Sequence, residues 1–188
     1  MEEVIQPDAL FEQEIRATMF GWSPAERHGL VQSVPINSTI PEDVQRLLIT
    51  AKNLLIYACF YYPFNVTATS TALSALELAI RRKAELEGIT SKLPGLHSAL
   101  ELALKNQWIS DDGLSQIPLR RRLTTGATGE IEYVDDSTAG PYVDVLKTVL
   151  PKMRNSLAHG TGFLEKNGAS KVLVVNELIN QIFPTSLP

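Results

Sequence analysis

The sequence has only one cysteine, three histidines and two tryptophans among its 188 residues. Cys59 alone cannot form an internal disulfide or a cysteine-based zinc site, and a single thiol suits a reducing compartment such as the cytoplasm. The histidines are scattered, and no carboxylate cluster with metal-ligand spacing accompanies them, so we expect no metal. Glycine-rich phosphate loops and dinucleotide fingerprints are also missing, and we expect no cofactor.

Basic residues are fewer than acidic ones, with 17 lysines and arginines against 21 aspartates and glutamates. The net charge of -4 argues against a protein that coats nucleic acid non-specifically, because that function needs a broadly basic surface. This balance leaves room for a small, local cationic site.

No hydrophobic run is long enough to cross a membrane. The longest, residues 54–60, falls far below the ~20 residues that a spanning helix needs. Residues 1–13 are acidic where a signal peptide would be basic, so we expect a cytoplasmic protein without membrane contact. The hydrophobic content of 44% is ordinary for a globular chain and favours one domain over residues 1–188.

Helical periodicity dominates the sequence and predicts an all-α bundle of about five to six helices. Residues 1–40 form an N-terminal extension in this prediction, with one or two helices, and residues 41–188 form the bundle core. An irregular insertion with a short hairpin is expected at about 109–140. Irregular segments of this length between helices often have a function. The extension contains a helix over 7–20 and a capping box at 23–26, and the long helices are expected at 41–62, 67–87, 96–108, 141–159 and 171–183.

Two of these helices carry features that bear on function. Glu77 lies on the edge of the apolar stripe of the helix at 67–87. The helix at 141–159 has an almost continuous apolar stripe, which predicts a buried seam, and Pro151 within it predicts a kink. The stripe consists of Tyr142, Val145, Leu146, Val149, Leu150, Met153 and Leu157.

The end of the helix at 141–159 groups three polar residues that could do chemistry. Arg154 and Asn155 lie off the apolar stripe, and His159 falls in the last turn before Gly160. Asn155 and His159 are four residues apart and share a helix face. Arg154 and His159 are five apart, about 140° around an ideal helix. They can converge only if the helix unwinds at His159 or if a second chain supplies one of them.

The sequence from Arg154 through Asn155 to His159, at the end of a late helix, resembles the Arg-x(4–6)-His motif of the HEPN superfamily. The helices from 67 to 183 resemble that fold's bundle, and Glu77 lies where many relatives have a polar residue on an earlier helix. The resemblance implies a dimeric, metal-independent endoribonuclease with Arg154 and His159 catalytic, supported by Asn155 and Glu77. It also implies a role in toxin–antitoxin or phage-defence systems, with an antitoxin or nucleotidyltransferase as partner.

These residue types suit RNA cleavage independently of the resemblance. An imidazole can take the proton from a 2′-hydroxyl or give one to the leaving 5′-oxygen. A guanidinium can hold the phosphate through two hydrogen bonds as negative charge develops. Asn155 could orient His159 or hold a phosphate oxygen, and Glu77 could orient Arg154. The run Arg120, Arg121 and Arg122 is a candidate contact for the RNA backbone.

Two other interpretations of the sequence are open. One is a non-catalytic HEPN-like module that binds a nucleotide or a protein, which the acidic net charge favours. The other is a purely structural helical protein in which the motif is a coincidence, with His159 and Gly160 serving as an ordinary helix end.

Overall fold

A computed structural model describes residues 4–115, 121–125, 131–135, 140–159 and 168–185. Within these ranges the chain is a helical bundle, which confirms the predicted all-α class, although there are seven α-helices rather than five to six. They are α1 Ile15–Met19, α2 Pro24–Gln32, α3 Glu42–Tyr57, α4 Phe64–Leu86, α5 Leu96–Lys105, α6 Tyr142–Ala158 and α7 Gly168–Ile182. Short 3-10 turns occur at Pro7–Ala9 and Asp111–Gly113.

The long helix α4 lies at the centre of the bundle and packs against α3, α5, α6 and α7. Its apolar stripe is buried, as are the apolar residues at helical spacing along α3 and α7 except for the partly buried Leu47. Burying these side chains is the main favourable contribution to folding. The members of the three stripes that are almost fully buried are Val44, Leu48, Ala51, Leu55, Ala58, Leu73, Leu76, Ile80, Ala84, Val172, Val175, Leu178, Ile179 and Ile182.

The segment before residue 41 packs onto this core. Ser23 and Glu26 form the predicted capping box at the start of α2, in which each side chain accepts a hydrogen bond from the other residue's backbone N–H. Val31 from α2 and Ile40 from the connector after it are almost fully buried in the core.

The predicted helix over 7–20 is wrong, because a break separates the turn Pro7–Ala9 from α1. Glu14 is extended, with φ -66° and ψ 140°. Its backbone N–H donates to the carbonyl of Cys59, 2.9 Å away, and its carboxylate accepts from the N–H of Tyr62. These contacts with the segment after α3 hold residue 14 out of a helix, and local periodicity does not report them.

Two long helices end earlier than predicted. Helix α3 ends at Tyr57 instead of residue 62, since the chain turns at 58–63 and Pro63 becomes the residue that precedes α4. Helix α5 ends at Lys105 instead of residue 108, because Gln107 adopts a left-handed conformation with φ 57°. Gly88, with φ 69°, follows the end of α4 as predicted.

Helix α6 has a narrower buried face than its sequence predicts. Val145 and Val149 belong to the predicted stripe, but their exposed fractions are 39% and 42%. Val143, outside that stripe, is buried instead, together with Leu146 and Leu150. Among the described elements α6 packs mainly against α4 and α5, and Asp111 accepts hydrogen bonds from the N–H groups of Tyr142 and Val143 at its start. The side with Val145 and Val149 stays exposed in this part of the chain. The helix continues on both sides of Pro151, and the glycines predicted to end it lie outside the described residues.

Part of the predicted insertion is a hairpin. Strands β1 (Arg121–Thr125) and β2 (Ile131–Asp135) pair antiparallel, with Leu123 opposite Tyr133, while the predicted turn at 126–129 lies outside the described residues. No helix in the described part of the chain is both long and apolar enough to cross a membrane.

Candidate functional site

Helix α6 carries the Arg-x4-His motif in its last turns. The helical hydrogen bonding extends to His159, whose backbone N–H donates to the carbonyl of Asn155 at 3.0 Å. His159 is the residue that caps the helix, with φ -87° and ψ 4°. The helix therefore does not unwind between Arg154 and His159, and their separation around the axis stays near the ideal value of about 140°.

Arg154 points toward α4, where it meets Glu77. The Nη2 atom of Arg154 lies 3.5 Å from Oε2 of Glu77. The side chain of Glu77 is only 13% exposed, whereas that of Arg154 is 41% exposed. The structure therefore brings these two sequence-predicted residues together as an ion pair and leaves part of the guanidinium accessible from outside.

Glu77 also binds a second arginine. Arg81, one turn further along α4, donates from Nη2 to Oε1 of Glu77 at 2.6 Å and to the carbonyl of Leu93 at 2.6 Å. Each oxygen of Glu77 thus faces a different guanidinium. Two arginines around one carboxylate leave a local excess of positive charge in a protein that is acidic overall.

Asn155 and His159 are exposed on the open side of α6. In the part of the chain that the structure describes, the side chain of His159 has no hydrogen-bonding or ionic partner. Neither nitrogen of its imidazole is engaged by the fold there, so both are available to a substrate. The structure does not bring Asn155 and His159 into contact with Glu77.

The run of three arginines cannot be placed at this site. Arg120 lies outside the described residues, and Arg121 and Arg122 are described only as backbone positions on β1. Arg81 is a site residue that the sequence reading missed. Its spacing of four from Glu77 on one helix is the signal that could have found it.

The other histidines lie elsewhere on the surface. His28 is exposed on α2, and His97 on α5 contacts the carbonyl of Lys147 through Nδ1 at 3.2 Å. Among the described residues, no three histidine, cysteine, aspartate or glutamate side chains are grouped so that they could hold a metal ion. Cys59 is buried, and burial raises the pKa of its thiol, so it is a weak nucleophile.

No family model matches this sequence, and comparisons with curated proteins and with solved structures found no similar protein. The case for a function therefore depends on the chemistry and geometry of Arg154, His159, Glu77 and Arg81.

Proposed function

We propose that the protein is a metal-independent endoribonuclease of the HEPN type, in which Arg154 binds the reacting phosphate and His159 transfers protons. The observation that carries this proposal is the pairing of Arg154 with Glu77 beside an exposed His159 at the end of the same helix. Glu77 fixes the direction of the guanidinium without covering it, which suits a group that must meet a substrate.

The proposed reaction needs no group beyond the chain and the RNA. His159 takes the proton of a 2′-hydroxyl, and the resulting oxygen attacks the adjacent phosphorus. The bond to the 5′-oxygen breaks, and this oxygen leaves with a proton from an imidazolium or from water. Arg154 stabilises the negative charge that builds on the phosphate oxygens. The products are a 2′,3′-cyclic phosphate and a 5′-hydroxyl.

A second copy of the chain completes the site in this proposal. Because the helix stays regular to His159, Arg154 faces α4 while His159 faces outward, and one motif does not bring the two together. The open side of α6 carries the exposed Val145 and Val149, and the exposed His159 lies about 40° around the helix axis from Val145. Burying these valines against the same face of a partner would set two motifs face to face about a two-fold axis.

Cleavage of RNA by the purified protein tests the proposal. We expect cleavage that continues in EDTA and yields 2′,3′-cyclic phosphate ends. His159→Ala should abolish it with the thermal midpoint nearly unchanged, because His159 is exposed and makes no contact that the described structure needs. His28→Ala, which removes another exposed histidine, is the matched control and should cleave normally. Undiminished cleavage by His159→Ala would rule out the assigned role.

The runner-up function is a non-catalytic module that binds a nucleotide or a protein. The acidic net charge of -4 favours it, because a ribonuclease must attract a polyanion. This alternative predicts RNA or nucleotide binding without cleavage. A toxin or phage-defence role, in the cytoplasm and with an antitoxin or nucleotidyltransferase partner, belongs to the ribonuclease proposal. A gene for such a partner beside this one would support that role.

A further inference from the structure

Arg27 is a buried cation that has no counter-ion among the described residues. It lies on α2, is only 4% exposed, and its Nη1 atom is enclosed without a hydrogen-bond acceptor. Its Cζ lies 3.6 Å from the centroid of the Trp22 ring. In the described structure no carboxylate lies within ion-pairing distance of the guanidinium. Burial lowers the pKa of Arg27, because removing a charge from water is unfavourable unless an anion replaces the lost hydration.

Arg27 lines a cavity of about 340 Å³ between α2 and the start of α7. Ala169 and Ser170, in the first turn of α7, form part of the opposite wall. The N-terminal end of an α-helix carries the positive end of the helix dipole. Two independent sources of positive potential, a buried guanidinium and a helix N-terminus, therefore face the same space.

Among the described residues that line the cavity, Glu26 is the one carboxylate, and it is already engaged. Its Oε2 accepts hydrogen bonds from the backbone N–H of Ser23 at 3.0 Å and from the hydroxyl of Ser23 at 2.8 Å. Glu26 therefore serves the start of α2 and does not neutralise Arg27 directly. Its other oxygen is left to accept a hydrogen bond from a hydroxyl or amino group.

We propose that this cavity binds the oxyanion group, phosphate or carboxylate, of a small molecule. The anion would pair with Arg27, close to the positive end of the α7 helix dipole. Leu30 and the edge of Trp22 would contact an attached apolar part. A volume of about 340 Å³ lies in the range of pockets for small ligands, of roughly 300–1,000 Å³, and exceeds what a free anion needs.

The ligand in this cavity is recognised by charge and not by ring stacking. One face of the Trp22 ring is covered by Arg27, and Trp22 also stacks on Tyr62 at an interplanar angle of 2° and a centroid distance of 5.8 Å. A nucleobase would find neither face free. Sequence periodicity does not indicate this site, because the surroundings of Arg27 are set by the packing of α2 against α7.

This site is separate from the proposed ribonuclease centre. Gly168, at the start of α7, packs so closely on Asn65 that an added Cβ would lie 3.1 Å from the Asn65 carbonyl oxygen. Asn65 and Glu77 are twelve residues apart on α4, about 18 Å along the helix axis. Anion binding at Arg27 therefore does not rest on RNA cleavage at Arg154.

Binding can be followed through Trp22. In a Trp108→Phe variant, Trp22 is the only tryptophan, and its fluorescence reports the cavity. Inorganic phosphate, acetate and adenosine monophosphate are titrated separately at constant ionic strength balanced with chloride, and the thermal midpoint is measured in parallel. We expect at least one of these anions to bind saturably and raise the midpoint. If inorganic phosphate binds and acetate does not, the ligand is a phosphate. If acetate binds and phosphate does not, the ligand is a carboxylate.

Two substitutions test the role of Arg27. Arg27→Met should weaken anion binding at least about tenfold, the loss of affinity expected for one charge-assisted hydrogen bond. Without the anion, this variant should keep or raise its thermal midpoint. Leu30→Glu places a carboxylate three residues along the same helix, where it can pair with Arg27, and should also abolish the response. This second variant keeps the test decisive if Arg27→Met fails to fold.

The matched control is Lys52→Met, which removes another largely buried cation that lines no part of this cavity. It should respond to the anions as the parent protein does. The proposal is overturned if none of the three anions binds, or if the response of Arg27→Met equals that of the parent.

Discussion

At the scale of single residues, the proposed active site depends on Glu77, whose two carboxylate oxygens contact different arginines. Glu77 holds Arg81 through Oε1 and faces Arg154 through Oε2. The contact with Arg81 is short and satisfies a backbone carbonyl as well, whereas the contact with Arg154 is longer and half exposed. Arg81 therefore serves the fold, and Arg154 is the arginine that can exchange its partner for a phosphate.

Substitution of Arg154 separates catalysis from structure. Arg154→Lys keeps the charge but loses the planar fork, so cleavage should fall about 10²-fold or more, while RNA binding weakens much less. The midpoint should barely change, since a half-exposed pair contributes about 0–1 kcal/mol. Glu77→Gln should lower both stability and cleavage, because it weakens the hold on two arginines. Cleavage, RNA affinity and thermal unfolding are measured for both variants.

The control for this pair is Arg46→Lys, at an exposed arginine on α3 that is paired with Glu42 at the same i,i+4 spacing as Arg81 with Glu77. It should leave cleavage and stability unchanged. Full cleavage by Arg154→Lys together with a lowered midpoint would show that Arg154 only ties α6 to α4.

At the scale of the elements, α3 contains a charge that the core does not neutralise. Lys52 is 8% exposed, and its Nζ donates to the carbonyl of Val34. Burial lowers its pKa from 10.5 to about 8. The charged form is therefore less stable in the folded chain than in water, and this cost acts at neutral pH.

The stability of the protein should rise with pH across this window. Between pH 8 and 10.5 the folded chain has released the proton of Lys52 while the unfolded chain keeps it, so the unfolded state binds more protons and unfolding becomes less favourable. The gain is at most about 3 kcal/mol. Denaturant unfolding at several pH values should show this rise in the parent and in the exposed-lysine control Lys92→Met, and lose it in Lys52→Met. An unchanged rise in Lys52→Met would contradict the assignment.

Sequence periodicity predicts the elements well where one face is buried against the bundle. The buried faces of α4 and α7 can be predicted from the three- and four-residue spacing of their apolar residues. The position of Glu77 at the edge of the α4 stripe follows from the same spacing. The break at Glu14 could not be predicted, because it depends on a contact with residues 59–62, far along the chain. Val145 and Val149 were wrongly placed in the buried stripe for a related reason. Hydrophobicity alone does not distinguish an apolar side chain that packs in the core from one that stays exposed.

The site shows the same division. The motif at 154–159 is local in sequence and could be read from residue types at a helix end. The ion pair between Arg154 and Glu77 needed a resemblance to suggest it, since 77 positions separate the two residues. Arg27 and Lys52 gave no signal, because a buried cation looks in sequence like any other helical surface residue.

At the scale of the whole molecule, the proposed ribonuclease site requires two chains. The open face of α6 carries two exposed valines, about 15 and 21 Å along the helix from His159, while Arg154 points inward to α4. A two-fold dimer with its axis near the end of α6 would cover the valines and bring His159 of one chain toward the exposed part of the Arg154 guanidinium of the other. A strict monomer in light scattering at micromolar concentration would remove this arrangement.

Complementation between two inactive variants tests this central claim most directly. Arg154→Ala and His159→Ala are each expected to be inactive alone, but a co-expressed 1:1 mixture contains dimers that join His159 of one chain with Arg154 of the other. Because half of the dimers are mixed and each has one intact pair, the mixture should regain about a quarter of the parent's cleavage activity. A mixture that forms mixed dimers yet cleaves no RNA would contradict a ribonuclease site shared between two chains.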